Sequence, residues 1–176
     1  RIGLWDVSGI TDFSGVFNAQ RNPRLERFNE DLSEWDVSNA TNLVRMFFRC
    51  RSFNRDLSTW NVSSATDLSY MFVYCRWFNG DISAWNVSNA TNFEGMFHAC
   101  DAFNCDVSSW DVSSATNLSH MFSGCTSFNS DVSSWDVANA RHSLHGMFYR
   151  CTSLDDDVVS SWGIFSGIRS RMFHSY

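Results

Sequence analysis

Five tryptophans, Trp35, Trp60, Trp85, Trp110 and Trp135, recur every 25 residues in this chain of 176. A fixed period of that size confines the chain to a repeat architecture, because one such unit cannot bury its own apolar side chains and must stack on its neighbours. One full unit reads Phe103-Asn104-Cys105-Asp106-Val107-Ser108-Ser109-Trp110-Asp111-Val112, then Ala115-Thr116-Asn117-Leu118, then Met121-Phe122 and Cys125. The chain enters the pattern at Trp5-Asp6-Val7. It carries an insertion over residues 18–27 that includes Pro23, and it turns irregular over residues 141–176. The reading is one domain, residues 1–176, of about seven coils, with atypical units at its ends as capping requires.

Trp and Val alternate around Asp or Asn in each unit, which is the two-residue period of a short strand flanked by Ser and Asn turn formers. Leu118, Met121, Phe122 and Cys125 fall at i, i+3, i+4 and i+7, one face of a short helix or 3-10 turn capped by Thr or Asn. The fold predicted from these patterns is a solenoid with one short parallel strand and one short helix or 3-10 turn per 25-residue repeat.

Stacking turns each position of the unit into a column. Phe53, Phe78, Phe103 and Phe128 form an aromatic column, and Cys50, Cys75, Cys100, Cys125 and Cys151 a thiol column. Those thiols read most simply as free and packed as small hydrophobes, with disulfides between rungs or a metal as alternatives. Cys105 falls in a variable column and is the candidate accessible free thiol. The carboxylates Asp31, Asp56, Asp81, Asp106 and Asp131 read as repeated Asx turns, with calcium as an outside alternative. Ice binding by the threonine column is a second outsider, since Ser-x-Ala-Thr places those residues at caps.

Composition narrows function. The formal net charge of −6 argues against nucleic acid as a partner. All 13 basic residues are Arg, so lysine chemistry is excluded. No paired-carboxylate cleft, Ser-His-Asp order or phosphate loop stands out, and His98, His120, His142, His145 and His174 share no column, so neither an enzyme nor a cofactor is expected. No apolar run approaches a membrane span. The chain begins with Arg1 and shows no signal-peptide pattern, so it is expected to be a mature or partial piece.

The phrase W-D-V-S-N-A-T-N-L-x-x-M-F-x-x-C-x-x-F-N-x-D-L-S-x-W resembles the BspA-like leucine-rich-repeat surface proteins, in particular their 25-residue branch found in Mycoplasma lipoproteins and in bacterial and protist surface proteins. The resemblance runs from Trp5 to about Trp162. It implies a right-handed leucine-rich-repeat-like coil, an extracellular or cell-surface location and an adhesive or scaffolding role without catalytic residues.

Repeat columns encode the fold, so function is sought where coils differ. Phe48, Tyr70, Val73, Tyr74 and Trp77 are apolar or aromatic where nothing in the repeat demands it. Arg45, Arg49, Arg51, Arg55 and Arg76 cluster in the same coils and suit an acidic partner. Sequons at Asn39, Asn61, Asn86, Asn89 and Asn117 are candidate glycosylation sites, although the repeat itself generates them; Asn61 and Asn86, beside the predicted strand, are expected to be the less accessible. Two functions follow as expectations: a surface module that binds protein or glycan, or a structural or linker subunit of a large assembly.

Overall fold

The computed structural model describes residues 2–174; the remaining ends of the predicted 1–176 domain lie outside the described residues. The coils stack as the period predicts. Phe47, Phe72, Phe97, Phe122 and Phe148 follow one another at ring separations of 5.4, 5.6, 5.6 and 5.8 Å. A second column, Phe53, Phe78, Phe103 and Phe128, lies beside it, and within a coil the paired rings, such as Phe97 and Phe103, are 4.0 Å apart. Trp60, Trp85 and Trp110 form a third column at 6.4 Å. One continuous core runs from Val7 to Met172.

The predicted leucine-rich-repeat secondary structure is not what holds these coils. Among the described residues no segment forms a strand; parallel pairing is reduced to isolated bridges that link Asp12, Asn42, Asp67, Asn92 and Asn117 in succession. The regular elements are 3-10 helices at Ile2–Leu4, Pro23–Arg27, Ala138–Ala140 and Asp156–Trp162 and one α-helix, α1, at Ser166–Phe173. They lie in the first coil, in the insertion and from Ala138 onward, and none in the regular coils between.

Asx turns explain the missing strand. Asp81 Oδ1 accepts from Ser83 N–H at 2.9 Å, and Asn86 Oδ1 accepts from Ser88 N–H at 3.1 Å. Turns on both sides leave too few residues for a ladder. Trp85 N–H accordingly bonds back to Ile82 C=O rather than to a neighbouring coil. The in-out alternation of buried Trp85, exposed Asn86 and buried Val87 is real, but it belongs to turns.

The Met-Phe segment fails as a helix for a different reason. Its N–H groups alternate in direction: Tyr70, Phe72 and Tyr74 donate to Glu94, Met96 and His98 of the next coil, while Met71, Val73 and Cys75 donate three residues back. Two residues of each such segment from the second coil to Arg150 are left-handed, Tyr70 at φ 59° and Tyr74 at φ 59° in this coil, which a right-handed helix cannot contain.

Side chains complete the stack. Each buried indole N–H reaches the coil behind it, as Trp85 Nε1 does to Leu57 C=O at 2.9 Å. The Asn column links backbone to backbone, with Asn79 N–H donating to Asn54 Oδ1 at 2.8 Å and Asn104 N–H to Asn79 Oδ1 at 2.7 Å. The thiol column does likewise: Cys100 Sγ–H donates to Phe72 C=O at 2.9 Å and Cys125 Sγ–H to Phe97 C=O at 3.0 Å. All six cysteines are free. Burial pushes the Cys50 and Cys151 thiols up to about 12 and those of Cys75, Cys100 and Cys125 well above their ordinary value. A thiolate-directed disulfide reagent at neutral pH should therefore leave these five unmodified in the folded chain and titrate all six after unfolding; rapid modification of the five in the folded state would contradict their burial.

The insertion leaves the first coil as a 3-10 turn, Pro23–Arg27, capped by Asn22, and returns Phe28 to stack at 4.2 Å on Phe17. At the other end α1 lies on the last coil, with Gly146 and Phe148 N–H bonded to Arg171 and Met172 C=O. No helix among the described residues is long and apolar enough to cross a membrane.

Candidate interaction face

Apart from Gly163, which caps the Asp156–Trp162 turn, the left-handed positions form two columns. One holds Gly15, Arg45, Tyr70, Gly95, His120 and Gly146; the other holds Arg49, Tyr74, Ala99, Gly124 and Arg150. Glycine occupies such a backbone without steric penalty, whereas an L side chain costs about 1–2 kcal/mol. Ala99 isolates that cost, because a methyl group offers little in return. Ala99→Gly is expected to stabilise the fold by about 0.5–1 kcal/mol after the entropy of the glycine is counted, read as a higher melting temperature; a lower one would mean that φ 57° at Ala99 is not strained.

Four consecutive left-handed sites, in two adjacent coils, carry large side chains: Arg45, Arg49, Tyr70 and Tyr74. The Arg45 guanidinium lies 5.7 Å from the Phe48 ring centre and 5.1 Å from that of Tyr70. Arg49 lies 5.7 Å from Phe48 and 5.5 Å from Tyr74. Neither Arg has a carboxylate partner among the described residues. Their charge is held on aromatic faces, which leaves the N–H donors free to meet an anion.

Beside them runs a groove of about 380 Å³ bordered by Arg45, Phe48, Tyr70, Glu94, His98 and His120. Val73, predicted at the surface, is only 3% exposed and lines the groove instead, its short side chain lying in one column between the larger Phe48 and His98. The Tyr70 hydroxyl donates to Glu94, which also accepts from Asn117 Nδ2 at 3.2 Å. Burial, and then the Glu94 bond and charge, push Tyr70 up to about 12, so it stays a donor. Tyr74 meets His98 edge to face at 5.4 Å, and His120 meets His145 in the same way at 4.8 Å.

His98 and His120 are held below the ordinary imidazole value, first by burial and then by a neighbouring imidazole, His120 and His145 respectively. The charges facing them are those of Arg45 and Glu94, with Tyr70 and Tyr74 as neutral neighbours. Both rings are neutral when folded at pH 7. The unfolded chain takes up more protons below about 6.5, so stability is complete above that pH and falls as pH drops toward the depressed folded values. A second loss begins below about 4, because Ser N–H and hydroxyl donors lower Asp6, Asp31, Asp36, Asp81, Asp106, Asp111 and Asp131. Thermal melts against pH should show both arms. His98→Phe, which installs the residue that its column carries at Phe48, should shrink the first arm alone; an unchanged first arm would contradict the assignment.

The rest of the predicted surface disperses. Arg51 sits 3.8 Å from Glu26, Arg76 sits 3.9 Å from Asp101, and Arg55 Nε donates to Asn29 C=O at 2.8 Å. Trp77 is 68% exposed in a separate shallow depression with Arg76 and Asp101. Cys105 is free but half-buried: Ile82 N–H reaches its sulfur at 3.5 Å. Burial first, with Asp81 and Asp106 adding, raises its pKa, so it is a less reactive thiol than its variable column suggests.

The sequon amides serve the stack. Asn39 and Asn89 donate to Ser8 and Ser63 C=O at 2.8 Å, Asn61 and Asn86 cap Ser63 and Ser88, and half-buried Asn117 joins Ser119 to Glu94. Asn61 and Asn86 are exposed, contrary to expectation, because turns rather than a paired strand carry them. His98, His120 and Glu94 were not predicted to meet. They lie in different columns, and only the step from one coil to the next brings them together; the glycines at 15, 95, 124 and 146 are the sequence signal that marks the left-handed columns of this face.

These features define a repeat protein of turn-built coils that presents variable side chains on one face. The chain belongs to the family described as Mycoplasma protein of unknown function, DUF285, which matches residues 1–104 and 81–175. A search of curated proteins found no match.

Proposed function

We propose that this chain is a non-enzymatic binding or adhesion module of an extracellular or cell surface, and that it binds a protein or glycan through the Arg45, Phe48, Arg49, Tyr70 and Tyr74 face. One observation carries the reading: four adjacent left-handed sites all hold Arg or Tyr, whereas elsewhere the same columns hold glycine at 15, 95, 124 and 146 and an L side chain only at Ala99, His120 and Arg150. Strain of that kind is kept where side chains serve a purpose other than folding. The 25-residue pattern's resemblance to BspA-like surface proteins supports the location. Antibody staining and protease shaving of intact source cells test it. Amine-directed labels do not, since the chain has no lysine. Loss of the chain on shaving supports the module; a purely internal location contradicts it.

A second reading, a structural or linker subunit of a large assembly, draws on the exposed apolar side chains Leu4, Trp5, Trp77 and Phe165. Sizing the isolated chain separates the two: a well-behaved monomer weakens the assembly reading.

A further inference from the structure

Resting on the binding-module reading, we propose that the Arg45 and Arg49 face takes an extended acidic segment of a partner protein, with two carboxylates two residues apart on the side that meets the arginines. The two guanidinium carbons each lie 5.7 Å from the one Phe48 ring, so they cannot be farther apart than twice that distance. Same-face side chains of an extended peptide are about 6.6 Å apart. Carboxylates two residues apart on one face of an extended segment fall within that limit and can reach both guanidinium groups, while the side chain between them points away from the surface.

The charge balance selects the partner. Arg45 and Arg49 are unpaired cations on a chain of net charge −6. The carboxylate columns at Asp31 to Asp131 and at Asp36, Asp111 and Asp136 cover other positions of every coil. A long polyanion such as a nucleic acid or a sulfated glycan would meet those carboxylates along with the two cations. A short acidic segment can reach the two cations without meeting those columns, and the carboxylate that borders the groove, Glu94, is already engaged by the Tyr70 hydroxyl and Asn117 Nδ2. Arginine on aromatic faces also keeps a planar fork of donors pre-oriented, which suits carboxylate oxygens two at a time.

The test is a titration of the full chain with peptides containing Glu-Phe-Glu, Gln-Phe-Gln or Lys-Phe-Lys, followed by backbone amide shifts. The Glu peptide should shift residues around Arg45, Arg49, Tyr70, Tyr74 and His98, and the other two should not. Arg45→Gly with Arg49→Gly should weaken the Glu peptide at least tenfold while leaving the melting temperature unchanged or higher, since glycine suits both sites. Arg76→Gln, away from the face, should change nothing. Equal shifts with the Gln peptide, or unweakened binding by the double variant, would overturn the inference. A heparin fragment serves as the control polyanion. If it binds through Arg45 and Arg49 and the Glu peptide does not, the acidic-segment inference falls and the binding-module reading stands.

Discussion

Phe97→Ala should cost about 3–5 kcal/mol of unfolding free energy, more than the same change at either end of the stack. Phe97 is fully buried and touches rings on every side: Phe72 and Phe122 at 5.6 Å along the stack, and Phe103 at 4.0 Å within its coil. Truncation removes the transfer energy of the ring and leaves a cavity that the flanking rings cannot close without breaking their own spacing. Stability in a stacked repeat is close to a sum of nearest-neighbour terms. Phe97→Ala therefore loses two interfaces, whereas Phe173→Ala, half-buried against Phe148 at 5.5 Å, loses one. Denaturant unfolding of the two variants measures the difference. Equal costs would mean that the rings do not transmit stability from coil to coil.

Substitution at Trp85 separates packing from hydrogen bonding. Trp85 stacks on Trp60 and Trp110 at 6.4 Å and donates through Nε1 to Leu57 C=O at 2.9 Å. Trp85→Ala removes both contributions and should cost about 3–5 kcal/mol. Trp85→Phe keeps an aromatic ring in the column and removes the donor. Leu57 C=O still accepts from Trp60 N–H, so no carbonyl is left unpaired. The Phe variant should thus lose about 1–2 kcal/mol, chiefly the net value of one bond with some packing. A Phe variant as unstable as the Ala variant would make the cross-coil indole bond, not the ring, the main contribution of this column.

The period of 25 and the columns it creates were legible from the Trp residues alone, because a residue type that recurs at one spacing must occupy one environment. The secondary structure was not. Trp-Asn-Val at residues 85–87 has the alternation of a strand, yet alternation reports only which side chains face inward. It is blind to where the backbone N–H groups go, and the Asx turns at Asp81 and Asn86 had already claimed the flanking residues. Leu118, Met121, Phe122 and Cys125 have helical spacing, but His120 and Gly124 lie at positive φ between them. Tight left-handed turns also return side chains to one side every three or four residues, so the pattern could not separate the two.

The candidate face was half legible. Arg45, Phe48, Arg49, Tyr70 and Tyr74 stood out as unlike their columns, and they meet. Arg51, Arg55, Arg76 and Trp77 stood out for the same reason and are dispersed, since sequence variation marks a side chain as unneeded by the repeat without saying in which direction it points. His98 and His120 reach the groove only through the geometry of the coil step.

Through-hydrogen-bond scalar couplings in isotope-labelled chain read the backbone pairing directly. Turn-built coils predict couplings from Phe72 N–H to Met96 C=O, from Phe97 N–H to Met121 C=O and from Thr91 N–H to Thr66 C=O, and none from the backbone N–H groups of residues 85–87 to a neighbouring coil. An unbroken run of couplings joining residues 60–62, 85–87 and 110–112 would put a parallel sheet there and contradict the turn-built stack.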